Sequence, residues 1–172
     1  MNADHDRELW DALVEAKREY NRRQADFYQN AQDRTRILKS ALTGDAWQQT
    51  TALTFLRAFA PDHADLLPQL VNLSLSHRWG LAAWQAIDGI PRGRLWPALT
   101  PIIDAQLQTT DPDDLRRLAG LLAHIQAWPL LKKLVSRARD IGDPEALEVA
   151  DDFTGKYGRL FQSAPPESGP NP

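Results

Sequence analysis

Asp111-Pro112-Asp113-Asp114-Leu115-Arg116-Arg117-Leu118-Ala119-Gly120-Leu121-Leu122-Ala123-His124-Ile125 combines a capped helix start, an apolar stripe at helical spacing and a tight exit. The Asp111 carboxylate can accept from free N–H groups of the first turn, and Pro112 lacks the N–H that would otherwise be orphaned there. Thirty-two residues after Asp111 the opening returns as Asp143-Pro144-Glu145-Ala146-Leu147. A return at that period marks an array of helical repeats. Such arrays build surfaces for other macromolecules and rarely carry chemistry.

The same pattern extends backwards. Thr43-Gly44-Asp45 closes one helix and offers Asp45 as the cap of the next. From there helices are expected in pairs: 46–59 with 63–75 across Pro61-Asp62, 79–89 with 93–107 across Gly89-Ile90-Pro91-Arg92, and 113–125 with 128–140. A last helix spans 144–155. In the first helices Ala52, Phe55, Leu56 and Phe59 match Ala83, Ala86, Ile87 and Ile90, then Leu118, Leu121, Leu122 and Ile125. Each set has the i, i+3, i+4, i+7 spacing of one buried face. In the second helices Leu66, Leu67 and Leu70 match Leu95, Trp96 and Leu99, then Leu130, Leu131 and Leu134. Pro68 and Pro97 coincide in that register, each expected in a first turn, where proline is tolerated.

Residues 4–42 have a different texture, rich in charge and glutamine with neither Gly nor Pro. Trp10, Leu13, Tyr20, Phe27 and Leu38 recur near a seven-residue spacing, which predicts one long helix with a narrow apolar stripe. It is read as packing along the array or capping its first repeat. A coiled-coil dimer arm is the alternative, and Lys17, Gln24 and Arg34 interrupt the seam that it would need. The domain reading is therefore a polar helix at 1–42, a repeat array at 43–155 and a C-terminal segment at 156–172. The last ten residues of that segment, Ser163 to Pro172, are too rich in proline and polar residues to bury a core.

Composition narrows the function classes. The 172 residues are 42% hydrophobic and 25% charged, near globular averages, so the chain as a whole is not of the disordered type. A net charge of −3 gives no general drive toward nucleic acid or an anionic membrane. There is no cysteine, which removes disulfides, thiol nucleophiles and cysteine-based metal sites. No apolar run approaches the ~18 residues of a membrane span. The expectation is a soluble, cytoplasmic protein.

The residues of the quoted stretch carry a resemblance. Asp111-Pro112, Leu115-Arg116, Ala119, Leu121-Leu122 and Ile125 resemble the first helix of a bacterial HEAT-like repeat, and Leu66-Leu67-Pro68-Gln69-Leu70 resembles the second. The resemblance covers about 43–154. Gln49 and Gly80 depart from it, standing where a buried Val or Leu is usual, and Asp88 replaces the family glycine. The resemblance implies an all-α fold, a short right-handed α-α superhelix of HEAT-like pairs preceded by the long N-terminal helix. It also implies that the second helices line a concave face.

No motif in the sequence points to chemistry, although catalytic residues need not be adjacent in sequence. His5, His63, His77 and His124 are scattered with no paired-histidine motif, and Asp111, Asp113 and Asp114 are accounted for by capping and the helix dipole. No phosphate loop or nucleophile elbow is present. The expectation is no catalytic residue, no metal and no cofactor. The candidate binding set is Arg92, Arg94, Trp128, Lys132, Lys133 and Arg137, a locally basic stretch of the second helices. Trp47, Trp79, Trp96 and Trp128 fall near helix starts, where an exposed indole is a typical hot-spot residue. Packing between repeats accounts for most of them, and Trp96, aligned with core leucines, is read as buried.

The functional expectation is a non-catalytic protein–protein interaction module of immunity, antitoxin or adaptor type, its partner another protein on the concave face. The alternative is a HEAT-like nucleic-acid-binding protein or a DNA-repair glycosylase, against which the absence of a strong basic charge counts. Pigment lyases or chaperones are a third HEAT-like class, for which no residue speaks.

Overall fold

The computed structural model describes residues 3–59, 64–109 and 111–162. The Pro61-Asp62 link, His63 and the proline-rich tail expected at 163–172 lie outside the described residues. Those described are helical or in short connections, with no strand among them.

The helix expected over 4–42 is two helices, α1 (Ala3–Asn30) and α2 (Arg34–Leu42). The break needs no Gly or Pro. Asp33 caps α2 by accepting from the Arg36 N–H. The Arg34 guanidinium donates to the carbonyls of Tyr28 at 2.7 Å and Ala31 at 2.9 Å, satisfying acceptors left over at the end of α1. This turn brings Leu38 and Leu42 into the core beside residues of the array.

The remaining helices fall close to their expected bounds. Asp45 caps α3 (Ala46–Ala58), its carboxylate 2.9 Å from the Gln48 nitrogen. A 3₁₀ turn at Ala64–Leu66 runs into α4 (Leu67–Ser74). Then come α5 (Gly80–Asp88) and α6 (Arg92–Thr109). Asp111 caps α7 (Pro112–His124) and Asp143 caps α9 (Pro144–Tyr157), with α8 (Trp128–Ile141) between them.

Two tight links join the last three helices. At the end of α7, Gln126 takes the left-handed conformation, φ 61°. Its N–H donates to Ala123 O, and the Ala127 N–H to Leu122 O at 2.8 Å. This is a Schellman exit built without the usual glycine. Gly142, φ 71°, makes the left-handed exit of α8, where a side chain is costly.

The helices lie in two rows, each touching the helix two along. One row is α3, α5, α7 and α9; the other is α2, α4, α6 and α8. The core runs between them. The repeated faces pack as the spacing requires: Ala52, Phe55 and Leu56, then Ala83, Ala86, Ile87 and Ile90, then Leu118, Leu121, Leu122 and Ile125 are all buried. The closest sequential neighbours are α2 with α3, α4 with α5, α7 with α8, and α8 with α9. The expected hairpins α3–α4 and α5–α6 approach less closely. The α4–α5 contact depends on Gly80, where an added Cβ would stand 3.2 Å from Ser74 O. That is the reason for glycine where the repeat pattern has a large apolar residue.

Two further expectations need correction. Trp96 is only half-buried, because the buried line of α6 is Leu95, Leu99, Ile103 and Leu107, and Trp96 lies beside it. Pro97 is in the second turn of α6, not the first, and Pro101 follows inside the same helix. Both prolines are exposed, so the carbonyls whose N–H partners they remove face the outer side of α6. A further finding is that the Asp-Pro openings repeat at thirty-two residues while the buried faces behind them differ: Leu115 is fully buried, whereas Leu147 is 39% exposed and Ala146 takes the core position.

Candidate interaction surface

The α6–α8 contact positions most of the basic residues singled out from the sequence. Ile103 and Leu107 of α6 and Leu131, Leu134 and Val135 of α8 are buried between the rows, so polar residues at intervening positions reach the rim. There the cations engage neighbours on the array. Lys133 Nζ donates to Asp104 Oδ1 at 2.7 Å. Arg137 Nε–H donates to Leu107 O at 3.2 Å, satisfying one of the last carbonyls of α6 with a positive group where the helix dipole favours it. Lys132 is exposed.

Arg92 and Arg94 stand at the other end of α6. Ten residues separate Arg94 from Asp104, about 15 Å of helix, so they do not share one patch with the α8 cations. Arg92 donates to Asp88 Oδ1 at 2.6 Å and its guanidinium lies 5.3 Å from the Trp96 ring centroid. Arg94 is exposed. Trp128 is 9% exposed and stacks on Tyr157 at 5.6 Å, tying α8 to α9 rather than meeting solvent.

The acidic opening of α7 is likewise taken up by structure. Asp114 pairs with Arg117 at 3.2 Å. Arg116 bridges α7 to α9, reaching Asp152 at 2.8 Å and Glu148 at 3.0 Å. The hydrogen bond from Arg116 holds the Asp152 carboxyl below its ordinary range. Among the described residues no group of three or more His, Cys, Asp or Glu is placed to hold a metal ion. None of their helices is long and apolar enough to cross a membrane.

The opposite end of the array is apolar and open. The C-terminal half of α1 is anchored by rings: Phe27 meets Phe55 edge-on at 5.2 Å, and Tyr28 stacks on Phe59 at 4.8 Å. Between α1, α2 and α3 lies a groove of about 400 Å³ lined chiefly by Tyr20, Phe27, Ile37, Leu38, Trp47 and Phe55. Trp47, in the first turn of α3, is 83% exposed at its rim. The N-terminal half of α1 continues past the array with Trp10 60% and Leu13 61% exposed. Leu9 is exposed beside them. Clustered exposed aromatic and aliphatic residues of this kind mark interaction sites on folded proteins.

The stripe from Trp10 to Phe27 was visible in the sequence. That its first half stays exposed among the described residues was not, because heptad spacing gives the face and not its partner. Ile37 carried no signal, since its exposure follows from the turn at 31–33.

No family model matches this chain, and no curated protein or solved structure matches it.

Proposed function

We propose that this chain is a non-catalytic protein-interaction module of adaptor or immunity type, its two helix rows winding as a short right-handed HEAT-like superhelix. Its contact surface is the N-terminal end, the groove of α1, α2 and α3 with the arm that extends from it. The observation that carries this is that five of the nine large exposed apolar side chains among the described residues, Leu9, Trp10, Leu13, Ile37 and Trp47, lie on α1, α2 and the first turn of α3. A free surface gains nothing from such residues, whereas burying them against a partner contributes about 25 cal/mol per Å². The ladder of neighbours two helices apart is what supports the superhelical reading.

The basic stretch of α6 and α8 is the weaker candidate surface. Lys133, Arg137 and Arg92 already hold intramolecular acceptors, and a partner would have to compete for them. The same pairing disfavours nucleic-acid binding, which draws its affinity from cations free to neutralise phosphates.

The test is retention of protein by the immobilised full chain from a lysate of the native host. Trp47→Ala with Ile37→Asp should abolish retention, and Lys132→Glu with Lys133→Glu and Arg137→Glu should preserve it. The reverse pattern would move the contact surface to the second helices.

A further inference from the structure

The open groove and the unpacked arm belong to the same molecule, and the charges on α1 point to what fills the one and covers the other. The first half of α1 carries Asp4, Asp6, Glu8, Asp11 and Glu15 against Arg7; the second half carries Lys17, Arg18, Arg22 and Arg23 against Glu19 and Asp26. The helix is acidic at its free end and basic where it borders the groove; Arg18, Arg22 and Arg23 contact Glu15 and Glu19 one turn away, exposed pairs worth little that leave the net charge of each half to align a second helix. Arg23 itself lines the groove beside Tyr20 and Gln24. Leu13, Tyr20 and Phe27 follow at seven-residue steps, so the apolar face of the arm is continuous with the α1 wall of the groove.

We infer that the groove is occupied by the arm of a second copy of this chain, the two α1 helices running antiparallel. This rests on the reading of the N-terminal end as the contact surface. Antiparallel pairing sets each acidic half beside a basic half. A parallel pair would set like charges together and leave both grooves empty. With twenty-eight residues α1 is about 42 Å long, so each half supplies about 21 Å, against about 10 Å of α1 between Tyr20 and Phe27 in the groove wall. The pairing is two-fold and self-complementary: Leu9, Trp10 and Leu13 of each copy enter the other's groove against Tyr20, Ile37 and Trp47, and the assembly closes at two. Lys17, near the two-fold centre, can lay its methylenes along the seam and carry its ammonium to water.

The experiment is the solution mass of the full chain by light scattering, from low concentration up to about 100 µM, where a dimer of micromolar Kd is nearly filled. The expected mass is twice 19.4 kDa. The apparent Kd should weaken as salt rises, because the charges that align the helices are exposed. Leu13→Glu and, separately, Ile37→Asp should each give a monomer with an unchanged helical signal, both side chains being exposed in the single chain. A wild-type mass of 19.4 kDa throughout the range overturns the inference. So does a dimer that survives Ile37→Asp, since that pairing would not use the groove. If the wild type is monomeric and still retains another protein that Trp47→Ala abolishes, only the second copy is refuted. If neither association depends on the groove, the reading of the N-terminal end falls with it.

Discussion

Leu115→Ala and Leu147→Ala separate the sequence repeat from the packing repeat. The two leucines are the same position of the same motif, four residues after an Asp that caps a helix through Asp-Pro. A periodic sequence reading assigns them equal worth. Their surroundings differ: Leu115 is 0% exposed and Leu147 is 39% exposed. Truncating a fully buried leucine removes its transfer energy and leaves a cavity, about 2–5 kcal/mol. Leu147 is about three-fifths buried, and water fills the space it leaves, so only part of the ~1.5–3 kcal/mol of transfer energy is lost. The slightly better helix propensity of alanine offsets a few tenths of a kcal/mol at both sites. Expected losses are about 3 kcal/mol at Leu115 and about 1 kcal/mol at Leu147. The assay is urea unfolding followed by far-ultraviolet circular dichroism, with the slopes checked for equality. Ala146→Leu completes the set. Ala146 is 0% exposed, in the core position one residue before Leu147, so overfilling it should cost about 1–3 kcal/mol. Equal midpoint shifts for the two leucine variants, or a neutral Ala146→Leu, would refute the one-residue offset between cap and buried face.

Gln126→Gly should stabilise the chain by about 0.5–1 kcal/mol, since the left-handed conformation is strained for glutamine and natural for glycine. That raises Tm by about 1–4 °C. Gly120→Val should destabilise by about 1–3 kcal/mol, because a Cβ at Gly120 would stand 2.7 Å from the Trp84 ring. Trp84 is tethered by its indole N–H to Ser74 O at 3.3 Å and cannot simply swing away; a rise in stability would contradict this. The Arg116–Asp152 contact should have a definite pH dependence. Asp152 is held below its ordinary range by the Arg116 hydrogen bond, so this stabilisation is present at neutral pH and is lost only as pH falls below the ordinary Asp range, through the lowered value. Arg116→Met should therefore unfold at lower urea than wild type at pH 7, and the gap should narrow steadily as pH falls below the ordinary Asp range, whereas a gap independent of pH would argue for packing instead.

The elements easiest to read in the sequence were those with a local cause. Asp45, Asp111 and Asp143 cap helices through their own first turns, and the spacings of Leu118, Leu121, Leu122 and Ile125 or Ala83, Ala86 and Ile87 are properties of a single helix. What escaped depends on other helices. Ala146 rather than Leu147 enters the core because α8 and the tight Gly142 link set the rotation of α9. Trp96 stays half-exposed because α6 buries every fourth residue from Leu95. The break at 31–33 is made by Asp33 and Arg34 side chains, with neither Gly nor Pro to announce it. For the surface, the basic residues were legible as charges but not as pairs: Asp104 lies 29 residues before Lys133, and only the fold brings them together. The apolar end had the converse fate. Its stripe was legible, while the exposure of Trp10 and Leu13 depends on where the other described helices lie.

The central claim, that a second copy covers the N-terminal end, is tested most directly by hydrogen exchange of the full chain compared between dilute and concentrated solution. Exchange reports opening of backbone hydrogen bonds segment by segment. The account predicts that peptides from 3–16 and 34–52 become slower to exchange on concentration while those from α6 and α8 do not change. Slowing confined to 92–109 and 128–141, or no slowing at any segment, would contradict it.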